Sequence, residues 1–425
     1  MARKAEPKFK IVPTSTGTFV DGKYQLIPEM RLDNVKLPKS FDGILVIPAE
    51  VTQLGKFVCA DKTEITEVVL PEGLRHLGIG TFKGCSNLVK INIPSSIAKV
   101  WDDDTFYGCS SLKELHLHEN ILYLSGRAFN GLPEGINITI DESNPKFLAD
   151  GQAILEKDGA RIIRLYAKTS SYEIKDGTVT IDCYAFAECK ELQSVTIPEG
   201  VLTIGEWAFA YCDNLETVVI PNTVKEMKRN AFWECVNLKS IDIPNTLTEI
   251  SENVFNGCTN LMSVVIPQGV TKIGASAFCR CTSLTNIVIP ESVTYISSDA
   301  FCDCVNLKSI NIPNTLTEIS NGVFSGCTNL ISVVIPQGVT KISYSAFARC
   351  TSLTNIVIPE SVTYIGWDAF KDCTGLTSIT IRSSVTEIDH SAFAGCTGLK
   401  EITVSSENLL EEVKLPEGVK VNIAS

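Results

Sequence analysis

A block of 23 residues recurs along this chain with almost no slippage, and no other feature limits its possible folds as tightly. Read from Phe186, the string AFxxCxxLxxVxIPxxVxxI returns with its phenylalanine at Phe209, Phe232, Phe255, Phe278, Phe301, Phe324, Phe347, Phe370 and Phe393, ten repeats in register. Phe82, Phe106 and Phe129 head three earlier copies, and Phe57 heads a degenerate one. A unit this short cannot bury its apolar side alone, so a fixed period in this range predicts a solenoid whose coils stack into one continuous core. Counting phenylalanines gives about fourteen coils.

Within one repeat the residue order lays out the sides of a coil. In LETVVIPNTVKEM, residues 215 to 227, Leu215, Val218 and Ile220 are spaced as a short strand facing a core, while Thr217 and Val219 point the other way. Pro221 ends the strand, because it has no N–H for a ladder and its φ is fixed. The same Ile-Pro step recurs at Pro94, Pro198, Pro244, Pro267, Pro290, Pro313, Pro336 and Pro359, so every strand stops at one depth. Val224 with Met227, or Val293 with Ile296, supplies a second buried side. Asn230, Ser276, Asp299, Ser345, Asp368 and Ser391 stand just before Ala-Phe. Side chains of that kind accept from the N–H groups that open a helix, so one α or 3-10 turn is expected from Ala-Phe to Cys on the convex side.

The formal charge of −12 argues against nucleic acid or an anionic membrane surface as partner, since both need a basic stripe. The sequence holds no apolar run of about 18 residues, the minimum for a membrane-spanning helix. The opening MARKAEPKFKIVPTSTG has the early basic residues of a secretory signal without the apolar stretch that follows them in one. On that ground alone the chain as written is expected in the cytoplasm. Its 16 cysteines would suggest a disulfide scaffold, but twelve of them stand three residues after a repeat phenylalanine, from Cys85 and Cys109 through Cys189 to Cys396. Stacked coils set equivalent Cα atoms about 4.8 Å apart with parallel Cβ vectors, whereas a disulfide needs Cβ atoms about 3.8 Å apart and turned toward each other. A buried column of free thiols is expected.

With Phe, Cys, Leu and Ile-Pro at these spacings over roughly residues 44 to 404, the chain resembles the leucine-rich repeat family, and specifically its BspA-like branch, whose repeat reads close to LxxIxIPxxVxxIGxxAFxxC. The segment NPKFLADGQAILEKDGARIIRLYAKTSSYEI looks like the β-hairpin insert common in that family, with Asp150-Gly151 and Asp158-Gly159 as turn signals, and should protrude from the solenoid. The resemblance implies bacterial cell-surface or secreted proteins that bind host or microbial macromolecules. The organisation expected is an N-terminal tail and cap over 1–40, degenerate and first repeats over 41–132, the insert over 133–181, ten regular repeats over 182–404 and a C-terminal cap over 405–425.

Residues 236–304 and 305–373 align without a gap and differ at only eleven positions, so the chain has copied a three-coil block. The differences include Asp242/Asn311, Met262/Ile331, Ala275/Tyr344, Ser298/Trp367, Cys279/Ala348 and Cys302/Lys371. None falls on the Phe, the column Cys, the Leu or the Ile-Pro. Cys279 and Cys302, with Cys281 and Cys304, make two CxC pairs in adjacent coils, the spacing of a soft-metal cluster. Their counterparts Ala348 and Lys371 point instead to an exposed position and stray surface thiols, open to a Cys279–Cys302 bridge on oxidation.

Catalytic constellations are missing. Of four histidines, His116 and His118 alternate in LHLHEN and could hold a metal beside Glu119, but no third ligand is apparent and solvated strand histidines are expected. There is no GxSxG, HExxH or Gly-rich phosphate loop, and the cysteine column has no regular histidine partner. No enzyme activity, cofactor or metal is expected.

What remains is a long surface of outward strand residues. One column runs Ser194, Thr217, Ser240, Ser263, Asn286, Ser309, Ser332, Asn355 and Ser378; the next runs Thr196, Val219, Asp242, Val265, Val288, Asn311, Val334, Val357 and Thr380. Such residues also simply suit a pleated ladder. As a site, they form a flat, nearly uncharged platform of the kind solenoids offer on a concave side. The candidate partner-binding residues are Thr217 to Asn355 in the first column and Val219 to Val357 in the second. No large aromatic cluster is apparent, with Trp101, Trp207, Trp233 and Trp367 at turn or convex positions. The reading is a β-rich leucine-rich repeat solenoid, monomeric, that binds a protein or glycan through its strand face, with an intracellular scaffold as the competing role.

Overall fold

The computed structural model describes residues 8–20, 23–37, 39, 41–100 and 104–423, with side chains from residue 30 onward. The chain forms two compact units, one of Met1–Thr169 with Gly177–Cys189 and one of Ser170–Asp176 with Lys190–Ser425.

In the first unit an antiparallel pair, Lys8–Val20 and Lys23–Lys36, leads into the coils by parallel pairing of Leu32 with Leu54. Strands Ile44–Val46, Glu67–Val69 and Lys90–Ile91 then stack in parallel, as do Glu114–Leu117 and Asn137–Ile140. The segment expected to be a protruding hairpin is a three-stranded antiparallel meander of Phe147–Ala149, Ala153–Glu156 and Arg161–Leu165. It does not protrude: Phe147, Ile154, Ile163 and Tyr166 lie in the unit's apolar core. Both Asp-Gly steps are turns, with the Asp150 carboxylate accepting from Gln152 and Ala153 and the Asp158 carboxylate from Ala160. Buried Asn144 anchors the meander's start, donating to the His118 and Ile121 carbonyls and accepting from Lys146 and Phe147. An amide with every valence filled is the form in which a polar side chain can sit in a core.

The second unit carries a parallel ladder of twelve strands in sequence order, from Ser171–Glu173 to Lys420–Ile423. Middle residues such as Val218, Ile241 and Ile310 are buried, and their neighbours on either side face out. A second side is made of two-residue strands such as Glu249–Ile250, Lys272–Ile273 and Tyr295–Ile296, each burying its Ile. Between the sides, phenylalanine rings from Phe209 to Phe393 stack coil on coil with centroids 5.0 to 5.9 Å apart. Such continuous stacking is favourable beyond area burial alone.

Among the described residues the fold makes about 17 turns, more than the phenylalanine count. Ile44–Val46, Ser171–Glu173 and Lys420–Ile423 are ladder strands that no Ala-Phe step precedes, the last lying in the segment read as a C-terminal cap.

The third side departs from expectation. It holds almost no helix: a 3-10 turn occurs at Gly126–Phe129, but the other Ala-Phe steps are chains of tight turns. Asn230, Ser276, Asp299, Ser345 and Asp368 are not helix caps, because each has φ between 52° and 60°. A second left-handed residue follows four positions later, at Glu234, Arg280, Asp303, Arg349 and Asp372. Alternating hydrogen bonds explain the pattern. Asn230, Phe232 and Glu234 donate along the stack to carbonyls of Glu252, Val254 and Asn256, while Ala231, Trp233 and Cys235 donate three residues back. A helix would direct every N–H within its own coil and leave this side without a ladder.

Candidate interaction surface

Thr217, Ser240 and Ser263 are register partners on successive strands, as are Asn286, Ser309, Ser332 and Asn355. In the second column Asp242 pairs with Val265, Val265 with Val288, Val288 with Asn311, Asn311 with Val334 and Val334 with Val357, while Val219 pairs with Thr196. All of these side chains are exposed. Val219, Val265, Val288 and Val334 keep 70 to 77% of their surface in water, and Val357 keeps 59%. Two adjacent valine pairs therefore lie on one face, separated by Asn311, with Asp242 between the first pair and Val219.

The residue preceding each strand extends this face, which the alternation in the sequence did not reveal. Met262 and Ile331 are 55% and 53% exposed beside Val265 and Val334. Their N–H groups are tied to the Lys239 and Lys308 carbonyls of the preceding coil, so both side chains turn outward. The duplicated blocks thus carry the same apolar triad twice, Met262, Val265 and Val288 in one and Ile331, Val334 and Val357 in the other. The retained apolar character of the Met262/Ile331 pair was the signal available. Lys239 bonds to Glu216 at 2.6 Å at the edge of the face.

Beneath it the thiols are locked away. No cysteine among the described residues is in a disulfide, and the twelve of the column are buried. Cys235, Cys258, Cys281 and Cys304 donate S–H to the carbonyls of Phe209, Phe232, Phe255 and Phe278 at 3.0 to 3.2 Å. Burial pushes the column thiols up, Cys85 to about 11 and Cys396 to about 12, so they are poor nucleophiles. Cys279 and Cys302 are half-buried, unlike the exposed position expected, and the equivalent Ala348 is buried. The neighbouring Cys279 thiol, with burial, drives the Cys302 thiol far up.

The two strand histidines separate. Strand Glu114–Leu117 ends before His118, whose ring turns into the core and accepts at Nδ1 from Asn120 N–H, so the expected solvated pair is not formed. His116 stays exposed between Asp141 at 3.2 Å and Thr139 at 2.9 Å. Among the described residues no group of three His, Cys, Asp or Glu is placed to hold a metal.

The turn side does contain an aromatic cluster. Trp207 stacks on Trp233 at 5.0 Å and on Tyr211 at 6.4 Å, and Lys190 caps the Tyr211 ring at 5.6 Å. Trp207 precedes its phenylalanine and Trp233 follows its own, so only coil stacking unites them. Trp101 lies outside the described residues. No helix among the described residues is long and apolar enough to cross a membrane.

The model of the BspA type leucine-rich repeat region matches residues 32–150, 165–285 and 271–400. A leucine-rich repeat protein from Bacteroides ovatus shares the fold at 24% identity and a TM-score of 0.59, over 97% of this chain and 98% of that one. A leucine rich cell surface protein from Faecalibacterium prausnitzii is 23% identical with a TM-score of 0.47, over 98% of this chain and 100% of that one. No curated protein matches the chain in sequence. By the extent of the repeat match, this chain belongs to the BspA type leucine-rich repeat family.

Proposed function

We propose that the strand face of the second unit captures a macromolecular partner without catalysis, and that the partner is a protein. One observation carries the reading: valines at Val219, Val265, Val288, Val334 and Val357 are left mostly in water on a rigid ladder. Contiguous exposed apolar surface bordered by polar residues marks interaction sites. A pleated ladder accepts Thr at these positions equally well, as Thr196 and Thr380 show, so stacking alone does not call for valine. Twelve strands at about 4.8 Å spacing give a strip roughly 50 Å long, which suits a partner of ordinary interface size.

The test is a pull-down from the native source with Val265→Arg, Val288→Arg and Val334→Arg combined. Partner capture is expected to be abolished while the thermal melt is unchanged, because the side chains point away from the core. Alanine at Tyr344, Trp367 and Lys371 is expected to leave protein capture intact. Capture that survives the strand-face variant and is lost with the turn-side set would move the site to the convex side.

A further inference from the structure

The repeat position three residues before each phenylalanine lines up on the turn side of the second unit. At successive coils it holds Ala275, Ser298, Asn321, Tyr344, Trp367 and His390. Backbone bonds hold these rows in register: Ser345 donates to the Trp367 carbonyl at 2.9 Å and Gly322 to that of Tyr344 at 2.8 Å. The Asn321 side chain also accepts from Tyr344 N–H at 3.1 Å, fixing the tyrosine's backbone. Tyr344 is 54% exposed and Trp367 is 53% exposed, and His390 beside them is exposed with its Nδ1 held by the Glu412 carbonyl, leaving Nε2 and the ring face outward. The three residues thus follow one another on successive coils, whose backbone rows are about 4.8 Å apart.

From this row we infer a second binding site, independent of the strand face, that takes an extended saccharide on the rings of Tyr344, Trp367 and His390. The chain's own duplication argues that the rings are not there for folding. The copied block has Ala275 and Ser298 where Tyr344 and Trp367 stand; the Phe, column Cys, Leu and Ile-Pro positions are the same in both copies, while Gly274/Ser343, Ser297/Gly366 and Cys279/Ala348 change near the rings. Replacing a small residue by a half-exposed tyrosine or tryptophan leaves much apolar surface in water, which stacking of the coils does not require. The contrast with Trp207 and Trp233 is direct. Those rings cover each other's faces, whereas no ring stack or cation contact engages Tyr344 or Trp367 among the described residues.

The surroundings select the ligand. The row is bordered by Asn321, Ser345, Asp368 and the Lys371–Asp368 ion pair at 3.2 Å, not by a wider apolar patch of the kind a protein core contact needs. Stacked bases would need a cationic groove for their phosphates, and the nearby Lys371 is already paired in a chain of formal charge −12. A pyranose chain fits both features, with apolar C–H faces for the rings and hydroxyls at the rim for amide, carboxylate and imidazole groups. The row spacing is close to the advance of one sugar along an extended β-linked chain.

The experiment is titration of the full chain with cellohexaose, chitohexaose and xylohexaose, with maltohexaose as the α-linked comparison, read by calorimetry and tryptophan fluorescence. At least one β-linked probe is expected to bind with one site per chain. The double variant Tyr344→Ala with Trp367→Ser installs the residues of the other copied block, which already tolerates them, so it is expected to melt like the parent and bind at least tenfold more weakly. Trp207→Ala and the combined strand-face arginine variant are expected to bind as the parent does. Failure of all the β-linked probes to bind, or equal binding by the Tyr344/Trp367 variant, would overturn the proposal. Either result leaves the strand-face reading untouched, since that rests on protein capture.

Discussion

At Cys258 the thiol sits where a coil has a carbonyl to satisfy. It donates to the Phe232 oxygen at 3.2 Å, an oxygen that also accepts the Cys235 N–H of its own turn. The sulfur therefore fills volume as a small hydrophobe and adds a weak donor along the stack. Replacement by Asp should cost about 3–5 kcal/mol by burying a carboxylate with no counter-charge. Ser, which keeps a donor, and Ala should each cost about 1–2 kcal/mol. Thermal melts check the order, and equal melts for Asp and Ala would show that the site is open to water. Position in the repeat revealed that these cysteines are buried. The S–H bond was not legible, because its acceptor lies 26 residues back and is met only once coils stack.

Among the elements, the ladder strands were readable from alternation and from proline, since both act within one coil. The turn side was misread for a related reason: Asn, Ser and Asp favour helix caps and left-handed turns alike. What decides between them is the donation from Phe232 to Val254 and its equivalents, bonds between coils that no single repeat contains. The same side holds two clasps in which an arginine reaches across two coils, Arg280 to Glu234 and Arg349 to Asp303, at equivalent places in the copied blocks. Gly257 and Gly326 lie beneath them with φ of 77° and 75°, and a Cβ at Gly257 would come within 2.8 Å of the Glu234 carboxyl. The thiol column, taken as one element, predicts an alkaline limit. Folded thiols hold their protons past the ordinary value of 9.0, to about 11 at Cys85 and about 12 at Cys396, because burial disfavours the thiolate. The unfolded chain releases them near 9.0, so the stabilisation is full below that pH and declines as pH rises toward 11 and 12. Melting temperature should be flat up to about pH 8 and fall above the unfolded thiol value. A midpoint unchanged through that window would contradict the burial of the column.

For the molecule as a whole, architecture and surface were legible to different degrees. Phe, Cys, Leu and Ile-Pro recur because the interior of every coil is alike, and the repeat named the fold directly. The surface is built from positions free to differ, so the sequence offered columns without weights. Exposure supplies the weights: Val265, Val288, Val334 and Val357 stand well clear of the ladder, and Met262 and Ile331 join them from a position that alternation assigns to neither face. On the proposed function, this face makes the contact while the inward columns only hold it in place. Hydroxyl-radical footprinting of the captured complex tests it most directly. Oxidation of Met262, Ile331, Val265, Val288, Val334 and Val357 should fall several-fold in the complex, with Tyr344 and Trp367 unchanged. Protection confined to the turn-side residues, with Met262 oxidised as fast as in the free protein, would contradict it.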